Sequence, residues 1–496
     1  MLSTVLTFWQ RSPALFYGLF FCLGTIIALV PSATSLSAVV PVVFLILPYI
    51  YARTWTAWCK ALLGVATAIA AYCAAGYSTL PPTLSKVRID GTVRIENITQ
   101  DVRFGEQIWK YHIRLTDERL QLYNVACTMR RKGEGLCPQY TYRASGMLQR
   151  YDSAHAVFTP YTLQCCREPA FSYAGWRFTA KRQLRCFLSA KLPPNEARGF
   201  LEGLITGEFH DPLLAKNLSR FGLQHIMVVS GFHFSLLISC IAFLLRFIVG
   251  WRYVGVALLF AMTGYFLFLG PSPSVMRAYV ASALLGIASL AEKRTYALNS
   301  LGASLILLLW YEPTFALQPS FQLSFLATAA ILFFYNPVDM LLRQIFVPRT
   351  ALGILSLPVL DQALYILLVF FRKMWSLGIA VHVIMLPVCL YMFQTFPLMS
   401  LFYNCFFPFL VTLAMILLLL ACLLFWCPLV SEMLFSCTSH FTEWLLSYVY
   451  YAPHTLDKAL IVPLIPGWAV VVYLTLALFV GIYSTAPREL NDPLGQ

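Results

Sequence analysis

The chain has 496 residues, of which 59% are hydrophobic and only 11% charged, and its formal net charge is +13. Soluble domains carry about 25% charged residues, so the composition excludes an ordinary soluble protein. It predicts an integral membrane protein with an excess of cationic side chains.

Apolar segments divide the chain into a short first block, a polar block from about 80 to 198, and a long last block. A membrane helix needs about 20 apolar residues. On this basis about twelve spans are predicted, near 13–31, 36–51, 58–78, 223–248, 253–270, 274–291, 298–316, 321–336, 374–394, 400–427, 434–452 and 463–484. The apolar segment 353–371 contains Asp361 and is interpreted as interfacial or re-entrant.

Basic residues flank these spans on one side, which the positive-inside rule assigns to the cytoplasm. They are Arg11, Arg53, Lys60, Arg246, Arg252, Lys293, Arg294, Arg343, Arg349, Arg372, Lys373 and Arg488. We therefore expect both termini in the cytoplasm and the polar block outside it, in the periplasm.

The polar block begins with strand-like alternation, since apolar residues occupy every second position of 86–95. The pattern returns around 111–115, 122–129, 140–148 and 156–163. Alternation broken by turns favours a small antiparallel sheet or barrel. Five short strands suit an OB-type barrel, which often binds oligonucleotides, although other small β folds fit the strands as well.

A basic amphipathic stretch at 171–199 follows and is predicted to be a helix lying on the membrane surface. Residues 86–198 contain 19 Lys and Arg against 10 Asp and Glu, a balance of +9. A polyanion on this side of the membrane would explain the accumulation. A solvated β surface, with the helix touching anionic lipid, explains it equally well.

Four cysteines of the polar block are disulfide candidates, because disulfides persist in an oxidising compartment. Cys127 and Cys137 flank a predicted hairpin turn, and pairing of Cys127 with Cys165 or Cys166 is equally open. No Cys/His cluster has the spacing of a metal site, so no metal or other cofactor is predicted.

The densest polar cluster in apolar surroundings lies at 222–234 and contains His225, Ser230, Gly231 and His233. Polar groups at membrane depth are costly and usually face a bundle interior or a water-filled cavity. Hydrogen bonding between helices is the alternative for any one of them, but the density of the cluster favours function. Further polar residues in apolar segments are Arg277, Gln322, Ser324 and Asn404.

The order of these motifs resembles the ComEC competence family. The matching stretches are Gly207–Glu208, Phe221–His225, Val229–His233, Ser274–Ala278, Gln322–Ala327 and the region from Asn404 to Pro408. The resemblance implies an inner-membrane channel that imports single-stranded transforming DNA during natural competence, and therefore no catalytic residues.

Two departures from the family pattern bear on this reading. Glu208 stands where the family usually has Asp. Many members also carry a carboxy-terminal metallo-β-lactamase-like domain, whereas this sequence ends at Gln496 without a His-x-His-x-Asp-His cluster. We expect a form lacking that domain. No phosphate-loop motif is present, so the pulling force is expected from a partner.

The predicted organisation is a polytopic α-helical membrane protein with an inserted small β-barrel. Its parts are N-terminal transmembrane helices at 1–79, a periplasmic OB-like domain at 80–170, an interfacial helix at 171–199, a channel domain at 200–485 and a tail at 486–496. Predicted partners are single-stranded DNA, a periplasmic DNA receptor, a cytoplasmic ATP-driven helicase or translocase, and membrane lipid.

Two groups of residues are predicted to contact DNA. On the barrel they are Arg88, Arg94, Lys110, Arg114, Arg130, Arg131 and Lys132, with Tyr140 and Tyr142 for base stacking. Along the translocation path they are Glu208, His225, Ser230, Gly231, His233, Arg277, Gln322 and Asn404.

Two other functions fit parts of the pattern. A transporter of lipid, peptide or a small molecule is one, although acidic residues are scarce in the apolar segments, with Asp361 and Glu443 the clear candidates. A proton-coupled carrier typically needs such residues. An intramembrane hydrolase using Ser230 with His225 or His233 is the other, but no acid partner or oxyanion hole is evident.

Membrane topology is directly measurable. A reporter fused after residue 120 should report a position outside the cytoplasm, because the flanking charges place the polar block there. A fusion at this position that is active only in the cytoplasm would contradict the orientation.

Overall fold

The computed structural model describes residues 2–491 except 31–35, 53, 79–85, 104–105, 121, 134, 153–154, 167–170, 210, 228–230, 249–252, 292–295, 348, 350–352, 355, 357 and 454–457. The helices among these residues are α1 (Leu2–Arg11), α2 (Pro13–Leu29), α3 (Leu36–Ala52), α4 (Trp55–Ser78), α5 (Tyr173–Lys191), α6 (Glu196–Thr206), α7 (Pro212–Arg220), α8 (Gln224–Met227), α9 (Gly231–Ile248), α10 (Val254–Leu269), α11 (Pro273–Leu290), α12 (Ala297–Tyr311), α13 (Pro319–Ile345), α14 (Val359–Phe393), α15 (Ser400–Leu423), α16 (Pro428–Tyr450) and α17 (Gly467–Asn491). The strands are β1 (Lys86–Arg103), β2 (Glu106–Asp117), β3 (Leu122–Lys132), β4 (Thr141–Asp152), β5 (His155–Cys165), β6 (Thr395–Pro397) and β7 (Ala459–Ile461).

Strands β1 to β5 form a closed barrel in the order β1-β2-β3-β5-β4. The β3–β5 pair is parallel and the other neighbours are antiparallel. Alternate side chains fill the interior, and a register shift between Ile95 and Asn97 lets Ile98 also face inward. Five strands in a small closed barrel with a non-sequential neighbour are the arrangement of an OB-type fold. The prediction of a small five-stranded barrel is confirmed.

The first four helices pack against the later helices rather than forming a separate unit. Their buried side chains join those of α12, α13, α14 and α17 in one cluster. Helices α2 and α12 cross closely, since a Cβ on Gly302 would lie 2.2 Å from the Leu15 nitrogen. Small residues commonly permit such close crossings in membrane helices.

Two further apolar clusters complete the helical body. One joins α5 to α8 with α15 and α16. The other joins α9, α10 and α11 and includes Phe234 and Met262. The motif helices α8 and α9 therefore lie where these two clusters meet.

Five helical segments are long and apolar enough to cross a membrane, or six if the bent pair α1–α2 counts as one. They are Trp55–Gly76, Pro319–Ile345, Val359–Phe393, Ser400–Leu423 and Gly467–Ser484. Four shorter apolar helical segments are present among the described residues: Val39–Ala52, Val254–Leu269, Pro273–Ala288 and Ala297–Tyr311. The chain is thus a mostly helical membrane protein carrying a small barrel, and the count of about twelve spans stays a prediction.

The segment interpreted as interfacial or re-entrant is joined to the following predicted span in one helix. Residues 359–371 continue without a break into the next predicted span, which gives a helix of 35 residues. At 1.5 Å per residue this helix is about 52 Å long, well beyond the roughly 30 Å hydrocarbon core. Its mid-helix Arg372 is tolerated because it is buried beside a carboxylate.

That carboxylate belongs to Asp339 on α13, an acidic group that the sequence analysis missed. Arg372 Nε lies 3.3 Å from Oδ1, and Arg343 Nε lies 2.8 Å from Oδ2. Ser376 donates a hydrogen bond to Oδ1 at 3.3 Å. Asp339 and Arg372 are only 4% and 5% exposed. The pair fixes α13 against α14.

The Asp339–Arg372 pair gives a stability prediction. Asp339→Leu should lower the free energy of unfolding by about 3–5 kcal/mol, because it leaves Arg372 charged and buried without a partner. Asp339→Leu/Arg372→Leu should recover most of the loss. Thermal melting in detergent measures both, and a double variant no more stable than the single one would contradict the pairing.

Candidate functional site

Six of the seven predicted phosphate contacts are accessible on β1, β2 and β3. Arg88, Arg94, Arg130, Arg131 and Lys132 are exposed and Lys110 is half-buried. The register sets Lys110 opposite Arg130. Like charges directly opposite each other on a sheet are destabilising. Positive charge is therefore concentrated on this part of the barrel surface.

Arg114 has a different environment from the other six. Its guanidinium lies 3.1 Å from Glu96 Oε1 on β1 and 2.8 Å from Glu312 Oε2, which follows α12. Burial opposes its charge, but the carboxylates of Glu312 and Glu96 raise the pKa of Arg114 above its ordinary value. Arg114 thus joins the barrel to the helical body, and its position does not suit the predicted phosphate contact.

One predicted stacking residue is also placed differently. Tyr142 lies in the barrel core and donates a hydrogen bond to the Cys137 carbonyl at 2.8 Å. Burial raises its pKa to about 12. Its ring is therefore closed to bases. Tyr140 is half-buried, whereas Tyr161 on β5, which the sequence analysis did not name, is 62% exposed.

Of the four cysteines proposed for disulfides, Cys127, Cys137 and Cys166 are free thiols in the structure. Cys127 points into the barrel core, where burial raises its pKa to about 12. Cys137, Cys165 and Cys166 are exposed. The pairings that use Cys127 are therefore not seen.

Helix α5, predicted to lie on the membrane surface, turns two of its basic residues into the protein. Arg177 and Lys181 are 6% and 4% exposed. Arg177 Nε donates to the Leu267 carbonyl at 3.0 Å, and its Nη1 donates to the Glu96 carbonyl at 3.3 Å. Carbonyls at a helix C-terminus favour cations, so the end of α10 attracts this face.

Glu208, predicted on the translocation path, lies at the same junction. Lys181 Nζ donates to Glu208 Oε1 at 2.8 Å and to the Leu269 carbonyl at 3.1 Å. Arg185 donates to Glu208 Oε2. The predicted path residue is therefore the carboxylate that holds two cations of α5.

The polar motif around His225 packs against α14 and α15. His225 Nδ1 lies 3.2 Å from the Gly222 carbonyl, and Gly222 has a positive φ of 69°. A Cβ on Gly222 would lie 2.6 Å from Ser400 Cβ. Ser400 Oγ in turn lies 3.4 Å from His382 Nε2.

His382 and Ser400 were not among the predicted site residues. His382 is an isolated histidine in the candidate span 374–394, and that isolation was the available signal. Ser400 sits at the start of α15, where nothing in the local sequence marks it.

The rest of the motif lies only partly within the described residues. The predicted span 223–248 is divided into α8 and α9. Ser230 lies outside the described part of the chain. Gly231 begins α9, which also carries His233.

Arg277, near the start of α11, lies among apolar and hydroxyl groups. Its Nε donates to Ser324 Oγ at 2.7 Å, and its guanidinium carbon lies 6.0 Å from the centre of the Phe325 ring. No carboxylate of the described residues forms an ion pair with it. A cation in apolar surroundings that keeps only a neutral partner can accept an anion.

Gln322 and Asn404 complete the predicted path residues. Gln322 Nε2 donates to the Ala316 carbonyl at 2.7 Å, so it supports the turn before α13. Asn404 Oδ1 is buried and has no hydrogen-bond partner among the described residues. Asn404 lies one turn after Ser400, on the same face of α15.

Helix α9 contacts both α11 and α15. The helices that carry Arg277, Ser400 and Asn404 are therefore both neighbours of α9.

The Gly222 contact gives a second structural prediction. Gly222→Ala should lower the melting temperature, because it places a side chain in the left-handed region and against Ser400. The double variant Gly222→Ala/Ser400→Gly should regain the part of the melting temperature that the clash removes, but not the part that the backbone strain removes. Equal melting temperatures for wild type and Gly222→Ala would show that this contact is wrong.

Comparison with known proteins identifies the helical domain. A family model described as "Competence protein" matches residues 207–487. "ComE operon protein 3" of Bacillus subtilis (strain 168) is 25% identical over 238 residues, which are 47% of this chain and 30% of that protein. The match thus spans less than a third of the relative's length. No solved structure matches the chain. Since the family model covers more than half of the sequence, including the Glu208, His225 and Arg277 motifs, the chain belongs to the competence protein family.

Proposed function

We propose that this protein is a channel of the bacterial inner membrane that imports single-stranded DNA during natural competence. Family membership supports a role in DNA uptake, and the relative's name refers to the ComE operon. The helical domain supplies the passage and the barrel lies at its outer, periplasmic end. Both termini face the cytoplasm.

The observation that carries the proposal is Arg277 in the helical domain. A polyanion cannot enter hydrocarbon, so its path must offer positive potential and hydrogen-bond donors. Arg277 is a largely enclosed cation whose described partner is the Ser324 hydroxyl. A site for passage must bind each phosphate loosely, since tight sites would trap the strand. A single arginine beside a neutral hydroxyl meets both requirements.

The barrel supplies the first contact with DNA. The exposed cations of β1 to β3 would bind phosphate without strong sequence preference, because counterion release does not depend on the bases. The barrel also contacts the helical body, directly through Arg114 with Glu312 and indirectly through Arg177 of α5, which bonds to both the Glu96 and the Leu267 carbonyls. DNA held on the barrel is therefore delivered to the helical domain.

The channel does no covalent chemistry in this proposal. The sequence contains no phosphate-loop motif, so an ATP-driven helicase or translocase on the cytoplasmic side would pull the strand. A periplasmic DNA receptor would present it to the barrel.

Substitution of Arg277 tests the function. A charge-assisted hydrogen bond contributes about 1.5–3 kcal/mol, and each 1.4 kcal/mol is tenfold. Arg277→Gln should therefore reduce import of labelled DNA by roughly tenfold or more, while Arg277→Lys keeps part of the rate. Arg349→Gln, which removes an exposed arginine of the same domain, should import normally. The assay compares cells with equal protein levels.

Two outcomes would overturn the channel. Import at the wild-type rate by Arg277→Gln would remove its supporting observation. Complete loss of import in Ser230→Ala, with labelling of Ser230 by a serine-reactive phosphonate, would replace the channel with a hydrolase. The channel predicts only a modest effect at Ser230.

A further inference from the structure

We propose that Lys181 and Arg185 form a phosphodiester-binding site at the entrance of the helical domain, and that Glu208 occupies this site until DNA replaces it. The inference rests on the proposed import function, which it extends from a general path to one named binding site. In the absence of DNA, the carboxylate of Glu208 then occupies the position that a phosphate would take.

The site is built on one face of α5. Arg177, Lys181 and Arg185 are four residues apart, so their side chains lie in a row, with about 6 Å of helix between successive positions. Arg177 bridges the barrel and α10 through the Glu96 and Leu267 carbonyls. The row therefore runs from the barrel into the helical body.

The row of cations carries more charge than the carboxylate that it contacts. Lys181 and Arg185 both bond to the single carboxylate of Glu208. Glu202 also lies near Arg185 but is 3.7 Å from a cation of its own, Arg198. Burial lowers the pKa of Lys181, Glu208 raises it, and the neighbouring cations Arg177 and Arg185 lower it. Two cations therefore share one carboxylate at this site.

Arg185 retains unused binding capacity. Its Nη2 bonds Glu208, but its Nε is buried and has no hydrogen-bond partner among the described residues. Arginine binds phosphate most strongly through two parallel N–H groups. A phosphate oxygen would engage the donor that Glu208 leaves unsatisfied, while Lys181 would contribute its charge.

Glu208 is placed so that it can be displaced. It follows Gly207, the left-handed residue that ends α6, and so sits at the negative end of that helix. A carboxylate is disfavoured there. The side chains of Arg185 and Glu208 are 23% and 13% exposed, which leaves an edge that a phosphate can reach. The ion pairs with Lys181 and Arg185 offset the unfavourable position until a stronger anion arrives.

The test measures anion binding by the full-length protein in detergent, with tripolyphosphate and a labelled oligothymidylate as probes. Glu208→Gln removes the internal competitor, so its melting temperature should rise with tripolyphosphate more steeply than that of wild type. Glu208→Gln should also bind the oligonucleotide roughly tenfold more tightly, the effect of one 1.4 kcal/mol change. Sodium chloride at equal ionic strength controls for screening.

Two arginines of α5 provide a matched pair. Arg185→Gln should weaken oligonucleotide binding, and added to Glu208→Gln it should abolish the stabilisation by tripolyphosphate. Arg182→Gln removes the same charge from the exposed face of the helix and should bind as wild type. Equal loss at Arg182 and Arg185 would show a general surface effect and overturn the site.

The proposed binding site and the proposed import function can be disproved independently of each other. If both Glu208→Gln and Arg185→Gln bind as wild type while cells still import DNA, the proposed site is wrong and the channel stands. If these variants bind as expected but cells lacking the chain import DNA normally, the site is real and the import function is wrong. Should Glu208→Gln not fold, Arg185→Gln against Arg182→Gln decides the question.

Discussion

The cost of charge in apolar surroundings constrains this whole structure. A buried ion needs a partner or it is expelled, and the helical body accordingly pairs most of the charges it encloses. Asp339 binds Arg372 between two long helices, and Glu208 binds Lys181 at the junction with the barrel. Arg277 stands apart because its described partner is a hydroxyl. Arg277 therefore differs from the paired charges in having no carboxylate partner among the described residues.

The same constraint explains how the barrel is attached. Carbonyls and carboxylates of the helical body bind several cations. Sequence composition alone assigns these cations to the barrel surface or to lipid contact. Arg114 reaches Glu312, and Arg177 reaches the end of α10. An ion pair and a hydrogen bond from separate elements thus attach the barrel and α5 to the helical body. The remaining basic residues, on β1 to β3, keep their accessible positions.

Periodic features were predictable from the sequence, and pairings between distant segments were not. The strands around 86–95 and 111–115 follow from alternation, and the apolar helices follow from length. The inward face of α5 could not be predicted, because an amphipathic helix does not show whether protein or lipid covers its charges. His382 was likewise missed, since its contact with Ser400 and Gly222 depends on helices that are far apart in the chain.

The central claim is that the imported strand passes beside Arg277, and cross-linking tests it most directly. Ser324→Cys places a thiol next to that arginine, whereas Phe260→Cys places one on the outer face of α10, where Phe260 is 76% exposed. Incoming DNA carrying thiol-reactive nucleotides should cross-link to Ser324→Cys, above the background of the native cysteines, and not to Phe260→Cys. Equal cross-linking at both positions, or none at Ser324→Cys during active import, would contradict the account.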